Sequence, residues 1–315
     1  MSSKAKTINK AGLLNLVVVY LVWGSTYLAI RFGMREGAGF TPFVMGAMRT
    51  AVAGVVLLAG SALARNRVRI SRRELLTLAG SGLLLWLGGN GLVMVAQQTA
   101  DSALAALIIA SVPLWVAIID SMLDRRLPSL MLMVSLLIGS AGIVVLSLPT
   151  LTTGVRADLF AVITLVLASV SWAAGTVVQS RHRTSLSPIT SSAYQMVFGG
   201  IGFVVVVLLL GEPMPTPVLE AWLALLYLIV MGSFAFICYI RALRLLPTDI
   251  VMTYSYVNPI IAMFLGWLIL SEAITIWTVL GAALVLIGVA GVFRSRFRRQ
   301  PAATALQKSV SPEPG

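Results

Sequence analysis

The sequence predicts an all-α integral membrane protein whose ten transmembrane helices form two inverted five-helix repeats. Three observations carry this reading. Ten apolar stretches fill most of the 315 residues, and each has about the ~20 residues a spanning helix needs. The second five stretches echo the first five at a nearly fixed offset of 146 positions, pairing Pro42 with Pro188, Pro113 with Pro259 and Gly142 with Gly288. The basic residues gather on alternate connections. A unit of five helices begins on one side of a membrane and ends on the other, so its copy runs inverted.

Composition supports the same class. Hydrophobic residues make up 58% of the chain and charged residues 11%, a membrane composition rather than that of a soluble core. Residues 1–10 are expected to form a cytoplasmic N-terminal tail. Residues 11–149 form the first repeat, 150–294 the second, and 295–315 a basic, disordered cytoplasmic tail. The short connections leave no room for an extramembrane domain.

The spans follow in order. The first, 11–31, carries Tyr20, Trp23 and Tyr27 on one helical face, with Ser25 and Thr26 beside them. It lacks a small-residue cleavage site and is read as retained, not as a signal peptide. The second, 42–63, opens at Pro42 and holds Arg49 seven residues in. The third, 74–97, sets Trp86, Asn90, Met94 and Gln97 within an ~80° arc at 100° per residue. Its Gly88-Gly89-Asn90-Gly91 run is a flexible point. The fourth, 102–123, has Ser111 and Pro113 inside it and Asp120 near its end. The fifth, 130–149, presents Ser135, Gly139 and Gly142, and the tenth, 275–294, presents Gly281 and Gly288. These small residues mark packing or dimerisation helices. The sixth, 157–179, repeats the polar-aromatic stripe with Trp172, Thr176 and Gln179. The seventh, 188–209, opens at Pro188. The eighth, 220–241, contributes Tyr239. The ninth, 248–270, offers Thr253, Tyr254, Tyr256, Asn258 and Pro259.

Proline removes a backbone hydrogen bond and crowds the preceding turn. Pro113 and Pro259 are therefore expected to kink the fourth and ninth spans symmetrically, with Gly89 and Gly91 as further hinge positions. Buried Asn, Gln and Trp N–H groups have no partner in lipid, so the stripes are expected to face a protein interior or a wet cavity. An aromatic-walled cavity with a few hydrogen-bonding groups suits a small amphipathic molecule. For single residues the competing roles are helix–helix hydrogen bonding and interfacial belts, to which Trp267 and Trp277 are assigned.

The net charge of +12 does not indicate nucleic acid. Nineteen of the 23 basic residues lie on the tails and alternate loops, which follows the positive-inside rule and puts both termini in the cytoplasm. An ionisable residue inside a span costs ~2.5–3.5 kcal/mol on insertion scales, so each calls for a reason. Arg49 either attracts a carboxylate-bearing substrate or fixes packing. Asp120 either snorkels into a local salt bridge or couples protons. Absence of a central Asp or Glu favours neutral or zwitterionic cargo and weak pH dependence. His182 is the sole histidine and Cys238 the sole cysteine. With no Walker-type loop either, hydrolase, haem, thiolate-metal and ATPase chemistry have no residues to rest on. No cofactor and no metal are expected.

Trp23-Gly24-Ser25-Thr26-Tyr27, the Pro42 to Ala47-Met48-Arg49 stretch, the Ala-rich run ending at Pro113, and Asn258-Pro259 followed by Glu272 together resemble the drug/metabolite transporter superfamily. Over about residues 11–294 the chain looks like its ten-helix EamA-type branch, and most like the YddG-type amino-acid exporters. The resemblance implies a central cavity, export of metabolites such as amino acids across a bacterial plasma membrane, and structural roles for Arg49 and Glu272. Arg126 stands where the first repeat would match Glu272. The expected function is a secondary transporter exporting amino acids with aromatic or other apolar side chains by alternating access. Multidrug or nucleoside export, a facilitative pore, and a receptor or scaffold are the alternatives. Its partners are a small-molecule substrate and the lipid bilayer, with monomer and homodimer both open. The substrate-binding candidates are Trp23, Ser25, Thr26, Trp86, Asn90, Met94, Gln97, Ser111, Trp172, Thr176, Gln179, Tyr239, Tyr254 and Asn258. Rocking is expected about the third, fourth, eighth and ninth spans.

Overall fold

A computed structural model describes residues 9–35, 37, 39–100, 102–152, 159–270 and 274–310. Among them the chain makes ten helical passages. These are α1 (Lys10–Gly33), α2 (Pro42–Leu63), α3 (Arg72–Ala96), α4 (Ser102–Ile109, then Val112–Asp124), α5 (Leu130–Thr152), α6 (Leu159–Arg181), α7 (Pro188–Leu210), α8 (Leu219–Leu245), α9 (Thr248–Val251, then Tyr254–Leu270) and α10 (Ile276–Val310). Eight runs among the described residues are long and apolar enough to cross a membrane, and α1 adds the shorter apolar stretch Lys10–Thr26. The chain is a multi-pass integral membrane protein.

Local chemistry sets the helix ends. Pro42 and Pro188 both sit in the first turn of their helices, where a missing N–H leaves no bond unmade. Ser71 and Glu74 form a reciprocal capping box at the start of α3. Gly211, at φ 62°, closes α7 in the left-handed conformation that glycine adopts without strain. The disordered tail expected from residue 295 is corrected over 295–310, which continue α10 as helix. Arg, Gln, Ala, Leu and Lys dominate that stretch and are good helix formers, and Lys308 suits the last turn of the helix.

The repeats are related by reciprocal contacts. A Cβ on Gly54 would lie 2.7 Å from the Val197 amide nitrogen, and one on Gly200 would lie 2.9 Å from that of Ala51. Moving each residue of the first contact by the 146-position offset yields the second, with partners exchanged. The same holds for Gly142 against Val285 N (2.7 Å) and Gly288 against Gly139 N (2.6 Å). Exchange of partners is the mark of an isologous, two-fold interface. Thus α2 crosses α7 and α5 crosses α10 at glycine-lined backbone contacts. The central helices are interleaved: α1 packs on α8 and α9, and α6 packs on α3 and α4.

Two features depart from regular helix. Residues Leu83–Gly91 of α3 and Leu228–Gly232 of α8 are π-helical, at overlapping positions of the two repeats. The helix breaks around the two prolines are not symmetric. The break in α4 falls at Ala110–Ser111, with Pro113 in the first turn beyond it, whereas Pro259 lies inside a continuous helix and α9 breaks earlier, at Met252–Thr253. Hydroxyls mark both breaks. Ser111 Oγ donates to Ile108 O (2.6 Å), Thr253 Oγ1 to Ile250 O (2.6 Å) and Ser255 Oγ to Met252 O (2.9 Å). Such local bonds compete with the helix ladder.

Polar links close both ends of the bundle. At the end bearing the basic loops, Arg67 donates to Glu74 (2.9 Å) and to Ser185, and Arg244 donates to Leu186 O (2.7 Å) and Ser191 (2.7 Å). Arg181 joins α6 to α4 by ion pairs to Asp120 and Asp124, each at 2.8 Å. Asp120 therefore belongs to a salt bridge, though with a partner from another helix. At the opposite end Glu212 accepts from Val44 N (3.1 Å) and Thr41 Oγ1 (2.7 Å), capping the positive end of α2.

Candidate functional site

Four aromatic rings from both repeats meet in the middle of the bundle. Trp23 on α1 lies 4.9 Å from Tyr254 on α9, 5.1 Å from Tyr239 on α8 and 5.7 Å from Trp172 on α6, centroid to centroid. Tyr239 closes the ring at 5.8 Å from Tyr254 and 6.1 Å from Trp172. These are contact distances for aromatic pairs, so in this conformation the rings fill the space between them. The interleaving of α1 and α6 with the third and fourth helices of the other repeat brings them together. The cluster is not symmetric: the first-repeat positions matching Tyr239 and Tyr254 are Val93 and Ile108.

A thin polar layer orients these rings. Thr176 Oγ1 and Tyr239 Oη share a hydrogen bond of 2.6 Å. Tyr20 Oη and Thr253 Oγ1 are 2.5 Å apart. The Asn258 amide, with its nitrogen assigned toward the carbonyls, donates to Tyr254 O (3.1 Å) and Tyr20 O (3.2 Å), tying the unwound start of α9 to α1. Gly24 permits that contact, since a Cβ there would meet Ile261 at 2.6 Å.

A second cluster adjoins this layer on α2, α3 and α8. Trp86 packs against Phe236 at 4.9 Å, and Phe236 stacks on Tyr239 at 6.0 Å. The Arg49 guanidinium lies over the Trp86 ring, 5.1 Å from its centroid. Phe236 is a candidate site residue that the sequence reading missed. Its signal was its i, i+3 spacing from Tyr239.

Of the sequence-predicted site residues, Trp23, Trp172, Thr176, Tyr239, Tyr254 and Asn258 come together, with Trp86 next to them. The others do not join. Ser25 bonds Tyr227 Oη (2.6 Å) and Val22 O (2.7 Å), and Thr26 bonds back to Trp23 O (2.7 Å). Ser111 serves the α4 break and accepts from Trp115 Nε1 (3.1 Å). Gln179 is held by Gln195 Nε2 (2.8 Å), which also donates to Ser81 Oγ (2.7 Å). Asn90 is half-buried and reaches Leu85 O only at 3.4 Å. Met94 is core, and Gln97 caps the end of α3. The single stripe through Trp86, Asn90, Met94 and Gln97 is thus corrected. A π turn holds more residues than an α turn, so the 100° step fails across Leu83–Gly91 and the later residues rotate away. The side chain of Tyr27 and the whole of Glu272 lie outside the described residues.

The hinge glycines act in close packing. A Cβ on Gly89 would lie 2.6 Å from Trp172 Cε3, and one on Gly91 3.1 Å from Phe203 Cε1. Replacing Gly89 with alanine is expected to push Trp172 out of place and lower stability by about 1–3 kcal/mol, an overpacking cost. Gly80→Ala, which meets nothing within 4 Å, is expected to be neutral. Thermal unfolding of the two variants in lipid nanodiscs checks this, and equal melting temperatures would contradict it.

A polar cavity of about 500 Å³ at the basic end is lined by Arg67, Arg73, Glu74, Arg181 and Ser185 among others. Its walls are the same groups that link the loops to one another, so it reads as part of that closure.

Comparison with known proteins bears on the family and the fold. The profile of the EamA-like transporter family matches residues 10–148 and 159–294, one half each. The chain is 30% identical to a protein described as uncharacterized inner membrane transporter YedA from Escherichia coli (strain K12), over 95% of this chain and 96% of that one. It is 22% identical to uncharacterized transporter YoaV from Bacillus subtilis, over 88% and 94%. A WAT1-related chloroplastic protein of Arabidopsis thaliana matches at 25% identity, over 87% of this chain and 67% of that one. A solved crystal structure superposes with a TM-score of 0.77 at 21% identity, covering 91% of this chain and 98% of the other.

Proposed function

The chain belongs to the EamA-like transporter family, and from that premise we propose that it is a secondary transporter exporting small metabolites, most of all amino acids with aromatic or other apolar side chains. The observation that carries the reading is the ring of Trp23, Trp172, Tyr239 and Tyr254, drawn from both repeats. Family membership alone selects no cargo. A set of aromatic rings with few polar groups favours a flat or apolar side chain, which would replace ring–ring contacts by ring–cargo contacts of similar energy.

Alternating access accounts for the rest of the architecture. Links at the basic end and the Glu212 cap at the other end stand on opposite sides of the aromatic ring, and they would open in turn. The breaks in α4 and α9 and the π segments of α3 and α8 are where the backbone would give. The positive-inside rule supports a basic end and both termini in the cytoplasm of a bacterial cell.

Counterflow in proteoliposomes tests the proposal. Labelled phenylalanine, tyrosine, tryptophan or methionine is expected to exchange saturably, with weak pH dependence. Exchange of nucleosides or drugs but no amino acid would transfer the reading to those cargos, and unsaturable flux would replace the carrier by a pore.

A further inference from the structure

Resting on the carrier reading, we infer that the Arg49 guanidinium, seated on the Trp86 ring, is the binding point for a carboxylate on the cargo. Arg49 lies seven residues into α2, about 10 Å along the helix at ~1.5 Å per residue, and is only 4% exposed. A charge so buried calls for an acceptor. Among the described residues it has no ion pair and donates no hydrogen bond, its Nε is buried without a partner, and its one contact of note is the face of Trp86. Trp86 Nε1 is likewise buried and unpartnered. Among the described residues, Arg49 Nε and Trp86 Nε1 are thus two buried donors without an acceptor, the complement of an anion.

The repeat offers an internal comparison. Gln195 occupies the position matching Arg49, and there the fold supplies both partners, Ser81 and Gln179. Where this position only holds helices together it is neutral and its donor Nε2 is satisfied, while its Oε1 is buried without a partner. In the first repeat it is a buried cation whose Nε has no acceptor among the described residues. Gly232, in the π segment of α8, lets the guanidinium lie close against that helix, since a Cβ there would lie 3.0 Å from Arg49 Nη2. The planar guanidinium suits a carboxylate held by two parallel N–H bonds. From Trp86 the path runs through Phe236 to Tyr239, so a carboxylate on Arg49 puts an attached apolar group toward the aromatic ring.

Binding of benzoate and benzamide to protein in nanodiscs, followed by tryptophan fluorescence, tests the site apart from transport. Benzoate is expected to bind at least tenfold more tightly than benzamide. Arg49→Gln is expected to erase that difference, Arg49→Lys to keep part of it, and Gly232→Ala to weaken benzoate by crowding the guanidinium. Equal binding of the two probes to the wild-type protein overturns the assignment, and this comparison stands even if Arg49→Gln fails to fold. Displacement of benzoate by equimolar chloride makes the site one for inorganic anions and also overturns it. Counterflow separates the two readings. Arg49-dependent benzoate binding without amino-acid exchange leaves the site and removes the amino-acid cargo. Saturable phenylalanine exchange unchanged in Arg49→Gln leaves the carrier and removes the site.

Discussion

Replacing Trp23 with alanine is expected to lower saturable amino-acid counterflow tenfold or more. Trp23 touches Trp172, Tyr239 and Tyr254 at once, and no other ring in the cluster joins α1 to helices of the second repeat. Each aromatic pair contributes about 0.5–1.5 kcal/mol beyond its buried area. A cargo ring bound against Trp23 would draw on the same contacts, and 1.4 kcal/mol is a factor of ten in affinity. Truncation also leaves a cavity, at a cost to stability of about 3–5 kcal/mol for a buried tryptophan. Trp23→Phe separates the two effects, because it keeps a ring and most of the volume. The expected pattern is intermediate counterflow with near-normal stability for phenylalanine, and loss of both for alanine. Trp267→Ala serves as control, since Trp267 is 44% exposed on the outer surface of the bundle. Equal losses in Trp23→Ala and Trp267→Ala would mean that the aromatic ring is not the cargo site.

How much of this was legible beforehand depends on the range of the physics involved. Apolar length is a property of each stretch alone, so the ten passages were readable to within a few residues, apart from the helical extension of α10 beyond 294. Pro42, Pro188 and Gly211 act within one turn and marked their helix ends. The breaks in α4 and α9 were set at the prolines because proline is the loudest local signal. The α4 break does fall just before Pro113, where the Ser111 hydroxyl takes a backbone carbonyl, but α9 breaks where the Thr253 and Ser255 hydroxyls do so, and Pro259 is carried inside a helix. Gln97 and Gln179 were misplaced for different reasons. For Gln97 the assumed α periodicity fails at the π segment. Gln179 has the right periodicity but finds Gln195, on a helix the stripe argument did not consider. Arg49 is the hardest case. Its charge is visible in the sequence, but its lack of an ion pair or hydrogen bond among the described residues is a statement about every neighbouring helix, and only the fold contains it.

The reciprocal glycine contacts lead to the second large effect. Introducing leucine at Gly142 is expected to abolish folded protein. The added Cβ would sit 2.7 Å from Val285 N and 2.9 Å from Gly281 O, which are backbone atoms that no rotamer change can move. Relief requires α5 and α10 to separate along their crossing. In lipid no hydrophobic driving force opposes that separation, because the released faces are as well solvated by acyl chains as by each other, and close packing is what holds such pairs together. The two-fold relation turns this into a sharper test. Gly288 meets Gly139 N at 2.6 Å and Ser135 O at 2.8 Å, the same contact with partners exchanged, so Gly288→Leu is expected to fail to the same degree. Gly60→Leu on α2, where a Cβ meets nothing within 4 Å, is expected to leave the fold intact. Monodisperse elution from size exclusion after detergent extraction, compared across the three variants, decides the matter. A well-folded Gly142→Leu would show that α5 and α10 do not depend on that crossing, and a difference between Gly142→Leu and Gly288→Leu would show that the symmetry of contacts is not a symmetry of energies.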